Sequence, residues 1–198
     1  MVIKLSTEEK VHKANMAFSA VFQSYDPFDE PFRPCINKRL VLYPISYQLD
    51  ELQYAALGGA ARELGESAAF ITETEGHKKG IKFKDLDHWK VDFGDYPYRT
   101  LMKLGWSHMM ENAIYSTNGS WGLLISHEDH AVLGGDENFV NAVIANLPGI
   151  ELQLRGFLDA WKYNRDRLGS KIDWLQQLLI HVYGHEKARE FLLDAGML

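Results

Sequence analysis

Apolar and polar positions repeat along this chain with two different periods, and each change of period marks a new element. Residues 113–116 (AIYS) and 121–126 (WGLLIS) are short, mostly apolar runs separated by Thr117-Asn118-Gly119-Ser120. Asn and Gly tolerate positive φ, so this pattern predicts two strands joined by a tight hairpin. The WGLLI run is apolar throughout, as suits a strand covered on both faces. His127-Glu128-Asp129-His130 then predicts a polar turn, and Ala131-Val132-Leu133 a third strand, broken by Gly134-Gly135. Asp136 stands where an N-cap would accept hydrogen bonds from the free amides of a helix. Phe139, Val140, Val143, Ile144 and Leu147 follow at helical spacing, and Pro148-Gly149 ends that helix.

The same reading extends in both directions. Ser6 with Glu9 forms a capping-box pattern ahead of Val11, Ala14, Phe18, Val21 and Phe22, which predicts a packing helix to about residue 24. The segment 26–34 (DPFDEPFRP) has three prolines and reads as an extended connector, with Phe28 and Phe32 free to cover the core or enter a partner. Residues 40–47 (LVLYPISY) predict a strand that Pro44 confines to an edge or a bulge. A helix over 48–64 is weakened by Gly58-Gly59, and 67–74 (SAAFITET) predict another strand. That strand–helix–strand order fits a parallel crossover or a mixed sheet equally well. Residues 76–80 (GHKKG) read as a solvated turn whose lysines could meet a phosphate. Alternation in 81–84 and 89–93 predicts a two-stranded hairpin, and 98–110 a short helix. Beyond residue 150 the pattern is helical only: one helix to about Leu168, one carrying Ile172, Leu175, Leu178, Leu179 and Val182, and a short one over 185–194.

These elements predict an α+β or mixed α/β fold. A central mixed or antiparallel sheet would carry flanking helices and an all-helical C-terminal region. We expect one domain over 1–198, with an α/β core in 1–147 and the helices of 150–198 packed on it. A chain of 198 residues can bury a full core, and 46% hydrophobic with 24% charged residues is a globular balance. The lone Cys35 excludes an internal disulfide and, with no apolar run of roughly 18 residues, leads us to expect a cytoplasmic chain without a membrane span.

Charge changes the picture in one place. The window 104–154 has no Lys or Arg and carries Glu111, Glu128, Asp129, Asp136, Glu137 and Glu151, six acids that equal the net charge of −6 of the whole chain. Such a balance argues against a nucleic-acid binder, which needs basic density to displace counterions.

Within that window, His127-Glu128-Asp129-His130 is the densest set of chemistry-bearing side chains. Two imidazoles three residues apart could ligate zinc, manganese or iron, with His108, Glu111 or Asp136 as third ligand. The spacing is not that of the zinc proteases, whose second His comes one residue later. On this reading His127, His130 and His108 are the metal candidates, Glu128 and His127 the catalytic ones, and a divalent metal the cofactor; otherwise none is expected. Gly134-Gly135-Asp136 ahead of a helix has the form of an anion loop, but the Asp would repel phosphate, and no nucleotide-binding glycine spacing is present. Cys35, with Arg33 and Lys38 nearby, has no local signature of a nucleophile, and Ser126 is not in a nucleophile elbow.

The expectation is therefore a protein-binding module, inhibitor- or immunity-like in character only. Its acidic surface, built from Glu128, Asp129, Asp136, Glu137 and Trp121, would meet a basic protein partner, with a homo-oligomer through the C-terminal helices as an additional prospect. The alternative is a metal-dependent hydrolase using the His127–His130 segment.

Overall fold

The computed structural model describes residues 1–43, 47–75, 80–106 and 111–198. Seven strands form one sheet: β1 (Val2–Lys4), β2 (Lys38–Leu42), β3 (Ala68–Glu73), β4 (His88–Asp92), β5 (Asn112–Ser116), β6 (Trp121–Ile125) and β7 (Ala131–Gly135), in the order β1-β4-β3-β5-β6-β7-β2. Every pairing is antiparallel. The helices are α1 (Glu8–Val21), α2 (Glu51–Glu63), α3 (Tyr98–Lys103), α4 (Glu137–Asn146), α5 (Ile150–Tyr163), α6 (Asp173–Tyr183) and α7 (His185–Asp194). The fold is mixed α+β with a helical C-terminal region. No helix of the described residues is long and apolar enough to cross a membrane.

The two short hairpins explain the centre of the sheet. Asn118-Gly119, with Gly119 at φ 77°, turns β5 into β6, and residues 126–130 turn β6 into β7. β2 and β3 run parallel, since four antiparallel pairings separate them, but they do not pair with each other. β7, β6 and β5 lie between β2 and β3, so α2 carries the chain over three strands rather than joining two neighbours.

The sheet is covered on both faces, which gives two cores. On one face Phe70, Ala113, Tyr115, Leu124, Val132 and Val41 pack with α1 and with Phe157, Leu158, Trp161, Leu175, Leu178 and Leu179 of the tail. On the other, Ile71, Trp89, Val91, Ile114, Trp121, Leu123 and Leu133 pack with α2, α3 and α4. Alternation along each strand divides the residues between the faces.

One transverse row organises the first face. The pairings Ile3↔Lys90, Lys90↔Phe70, Phe70↔Tyr115, Tyr115↔Gly122, Gly122↔Gly134 and Gly134↔Arg39 cross all seven strands. The two glycines at its centre leave a trench. Into it drop Phe22, from the end of α1, and Phe32, from the proline-rich connector; the rings stack at 5.4 Å and their backbones pair as an isolated bridge. Gly134-Gly135 therefore does not break the third strand, as its composition suggested, but lies within β7. A Cβ on Gly134 would come within 2.8 Å of both Phe32 and Ile36.

β2 is an edge strand, and its free side is capped by the tail. The Val41 amide donates to the Tyr183 hydroxyl at 2.9 Å and the Tyr43 amide to Gln153 Oε1 at 2.9 Å. An edge so occupied cannot template another strand.

Several local expectations are corrected. Thr7, not Ser6, caps α1, accepting from the Lys10 amide. Residues 2–4 form a strand on the far edge of the sheet. α2 begins after Asp50, which makes a capping box with Gln53. The segment 81–84 is not the first arm of a hairpin. Phe83 opens a 3-10 turn and folds under His88, its ring stacked at 4.4 Å, so β4 pairs with β1 and β3 instead. The first tail helix ends in a π turn over Asn164–Leu168. The GHKKG turn expected over 76–80 and the far part of the helix expected over 98–110 fall at 76–79 and 107–110, outside the described residues, as does Pro44.

Asp136 stands where the pattern placed it, at the N-cap of α4, accepting from the Phe139 amide at 2.8 Å. Asp136→Ala is expected to cost about 1 kcal/mol in urea denaturation, because it orphans an amide at the start of the helix.

Candidate functional site

The registers Glu73↔Asn112, Asn112↔Ile125, Ile125↔Ala131 and Ala131↔Leu42 bring five strand ends to one rim. The 126–130 turn crowns this rim, with Glu111 and Tyr43 beside it. Serine, histidine and backbone hold the turn from within. The Ser126 amide donates to the His130 carbonyl at 2.8 Å, and the Glu128 amide to Ser126 Oγ at 3.0 Å.

His130 is fully buried beneath the turn. Nε2 lies 3.0 Å from the Pro27 carbonyl, which can only accept, so Nε2 carries the proton. Nδ1, 2.7 Å from Ser126 Oγ, is then the acceptor of the serine hydroxyl. The ring stacks on Trp174 at 5.2 Å and meets the edge of Phe28 at 5.0 Å. Burial pushes its pKa down to about 4, against the opposing pull of the Pro27 carbonyl. His130 is thus a neutral pin joining the turn, the connector and α6, with both ring nitrogens engaged by protein.

His127 is placed differently. Its side chain is 43% exposed, and Nδ1 is hydrogen-bonded to Oε1 of the buried Glu111. Nε2 lies 3.6 Å from Glu128 Oε1, beyond hydrogen-bond range. Phe28 touches this ring too, at 5.4 Å. The two imidazoles share one aromatic neighbour and address separate polar partners. Among the described residues no three His, Cys, Asp or Glu side chains group as a metal site would require, and His108 lies outside those residues.

The acidic set divides. Glu128 and Asp129 are on the rim turn, and Asp129 is the one non-glycine residue of the described chain with positive φ, at 52°. Asp136 and Glu137 lie at the opposite end of β7, about 17 Å of strand away. Asp136 is occupied as a cap, and Glu137 lies 4.0 Å from Lys38. Glu151 is exposed on α5. The single surface expected from Glu128, Asp129, Asp136, Glu137 and Trp121 does not form, because the length of β7 separates the turn acids from Asp136 and Glu137, and Trp121 is buried. Trp121 is fully buried, stacked on Phe139 at 4.5 Å, with Nε1 donating to Glu66 at 3.1 Å. It is a core residue, as are Trp89, Trp106 and Trp161, while Trp174 is half-buried.

Chain separation hid the partners that define this rim. Pro27 lies 103 residues from His130 and Glu111 lies 16 from His127, and no spacing rule joins them. Cys35 is exposed and Ser126 is buried as the partner of His130. Comparison with models of known families, with curated proteins and with solved structures finds no match for this chain.

Proposed function

We propose that this protein is a binding module, inhibitor- or immunity-like in character, and that the 126–130 turn is the surface that meets a basic protein partner. One observation supports this above others. Glu128 and Asp129 stand on a turn braced from beneath by Ser126 and His130, with Asp129 in a left-handed conformation. Non-glycine residues adopt that conformation at a cost, and a preformed loop loses little entropy on docking. Exposed carboxylates in a stretch of sequence without lysine or arginine would steer a basic surface towards the rim.

The experiment is affinity capture from the native cell at low and high salt, with the wild type, Glu128→Lys/Asp129→Lys and, as control, Glu151→Lys/Asp159→Lys. A basic partner held at low salt, released at high salt and bound about tenfold more weakly by the rim variant alone supports the reading. Equal capture by both variants, or no partner at either salt, overturns it.

A metal-dependent or acid–base hydrolase is the second reading. The hydrogen bond that Nδ1 of the half-exposed His127 donates to the buried Glu111 carboxylate favours it, since a carboxylate fixing one imidazole nitrogen leaves the other for chemistry. Stoichiometric zinc or manganese lost in His127→Ala would favour this reading over binding.

A further inference from the structure

We propose a second contact surface, independent of the rim: a lysine-lined groove between α1 and the β3–β4–β1 side of the sheet, which takes an extended, acidic, apolar-containing segment of another protein. α1 covers β5 and β6 closely, because Gly119 lets the β5–β6 turn approach Ala17 and Ala20. Towards the sheet edge it leaves the face open. Two adjoining cavities there, about 570 and 320 Å³, share Lys13, Phe70 and Lys90. β1 ends the sheet and has three residues, so no described strand closes the outer side.

The register explains the composition of the floor. Ile3, Lys90 and Phe70 are neighbours in the transverse row, so an ammonium lies between two apolar side chains. Lys10 and Lys13, one helical turn apart, line the other wall with the exposed Met16. Lys13 is paired with Glu9 in an exposed ion pair at 2.7 Å, an interaction weak enough for a ligand carboxylate to displace. Among the described residues neither Lys10 nor Lys90 has an ion-pair partner. Cations outside any ion pair on a chain of net charge −6 suit an acidic ligand.

The dimensions and chemistry favour a peptide. From Lys10 to Ala20, α1 rises about 15 Å, the length of roughly four to five extended residues. Carboxylates would meet Lys10, Lys13 and Lys90, and apolar side chains would rest on the exposed Ile3 and Met16. A nucleic acid fits poorly: Phe70 is only 7% exposed and gives a base no open ring face, and the whole chain repels polyphosphate.

The test uses the full chain and fluorescent peptides alternating glutamate with leucine or phenylalanine. A lysine counterpart and a single-stranded oligonucleotide serve as competing probes, with anisotropy as readout. The acidic peptide should bind, weaken about tenfold or more in Lys10→Glu/Lys90→Glu, and keep its affinity in the surface control Arg167→Glu/Lys171→Glu, with circular dichroism confirming the fold. Four results would overturn the proposal. They are no binding of the acidic peptide, equal weakening in the control, stronger binding of the oligonucleotide, and self-association of the wild type abolished by Lys10→Glu/Lys90→Glu, which would assign the groove to a second copy.

Discussion

Gly122→Ala is expected to cost about 3 kcal/mol in urea denaturation, and Gly122→Val to prevent folding. The reason is the trench beneath Phe22. A Cβ on Gly122 would lie 2.4 Å from Cζ of Phe22, 2.8 Å from its Cε2 and 2.9 Å from Cγ1 of Val21. A ring tip normally swings aside, but this one is boxed. Phe22 is 2% exposed and packs against Phe18 at 4.7 Å, Phe32 at 5.4 Å and Tyr115 at 6.3 Å. Relief would have to come from moving α1 or spreading the sheet. Propensity alone predicts the opposite sign, because Ala serves a strand no worse than Gly. Phe22→Leu in the Gly122→Ala background should recover part of the loss, giving a favourable coupling of about 1–2 kcal/mol in the double-mutant cycle. A Gly122→Ala cost below about 0.5 kcal/mol, or strict additivity with Phe22→Leu, would contradict the trench.

That row also shows why the fold was only partly legible from the sequence. The β5–β6 hairpin, the Asp136 cap, the edge position of β2 and the helical tail were readable because each signal is local: a turn dipeptide, a capping residue, a proline, a 3.6-residue period. Gly134-Gly135 misled because its reason is not local. The glycines belong to a strand interior since Phe32 and Ile36 occupy the space a side chain on Gly134 would take, and Trp121 and Phe139 crowd the corresponding space at Gly135. The alternation of 81–84 misled similarly. A strand there would have left His88 without cover, whereas the 3-10 turn gives His88 Nε2 the Phe83 carbonyl at 2.7 Å. At the rim, sequence adjacency did not foretell which way the members of the His127–His130 segment would face. His127 and His130 are three residues apart, yet a tight turn sends one to the half-exposed side with Glu111 and the other under the connector. Glu128 and Asp136 are close in number and stand at opposite ends of a strand.

The protein should lose stability steadily as the pH falls from about 6.5 to 4, with His130 and His181 as the main contributors. In the unfolded chain a histidine titrates near 6.5. In the fold, burial pushes His130 down to about 4, and burial together with the neighbouring Arg39 pushes His181 down to about 4. Burial also lowers His88. A depressed folded-state pKa means that the unfolded chain takes up protons first. The stabilisation is therefore complete above pH 6.5, falls as the pH drops through the interval and is gone below about 4. For His130 alone the difference amounts to about 3 kcal/mol. Chemical denaturation at a series of pH values measures it, and in His130→Gln the slope between pH 6 and 4.5 should decrease by about one proton. An unchanged slope would mean that His130 is not a buried neutral imidazole. The loss should also be uneven. His130 holds the Pro27 carbonyl, and His181 stacks on Phe32 with a ring spacing of 6.1 Å, so both histidines grip the same proline-rich connector. Acid should free that connector and the adjoining turn before the sheet opens. Hydrogen exchange would then accelerate first at Phe32 and Glu128, and last at β5 and β6. A connector that stays protected while the sheet exchanges would place the acid-labile link elsewhere in the fold.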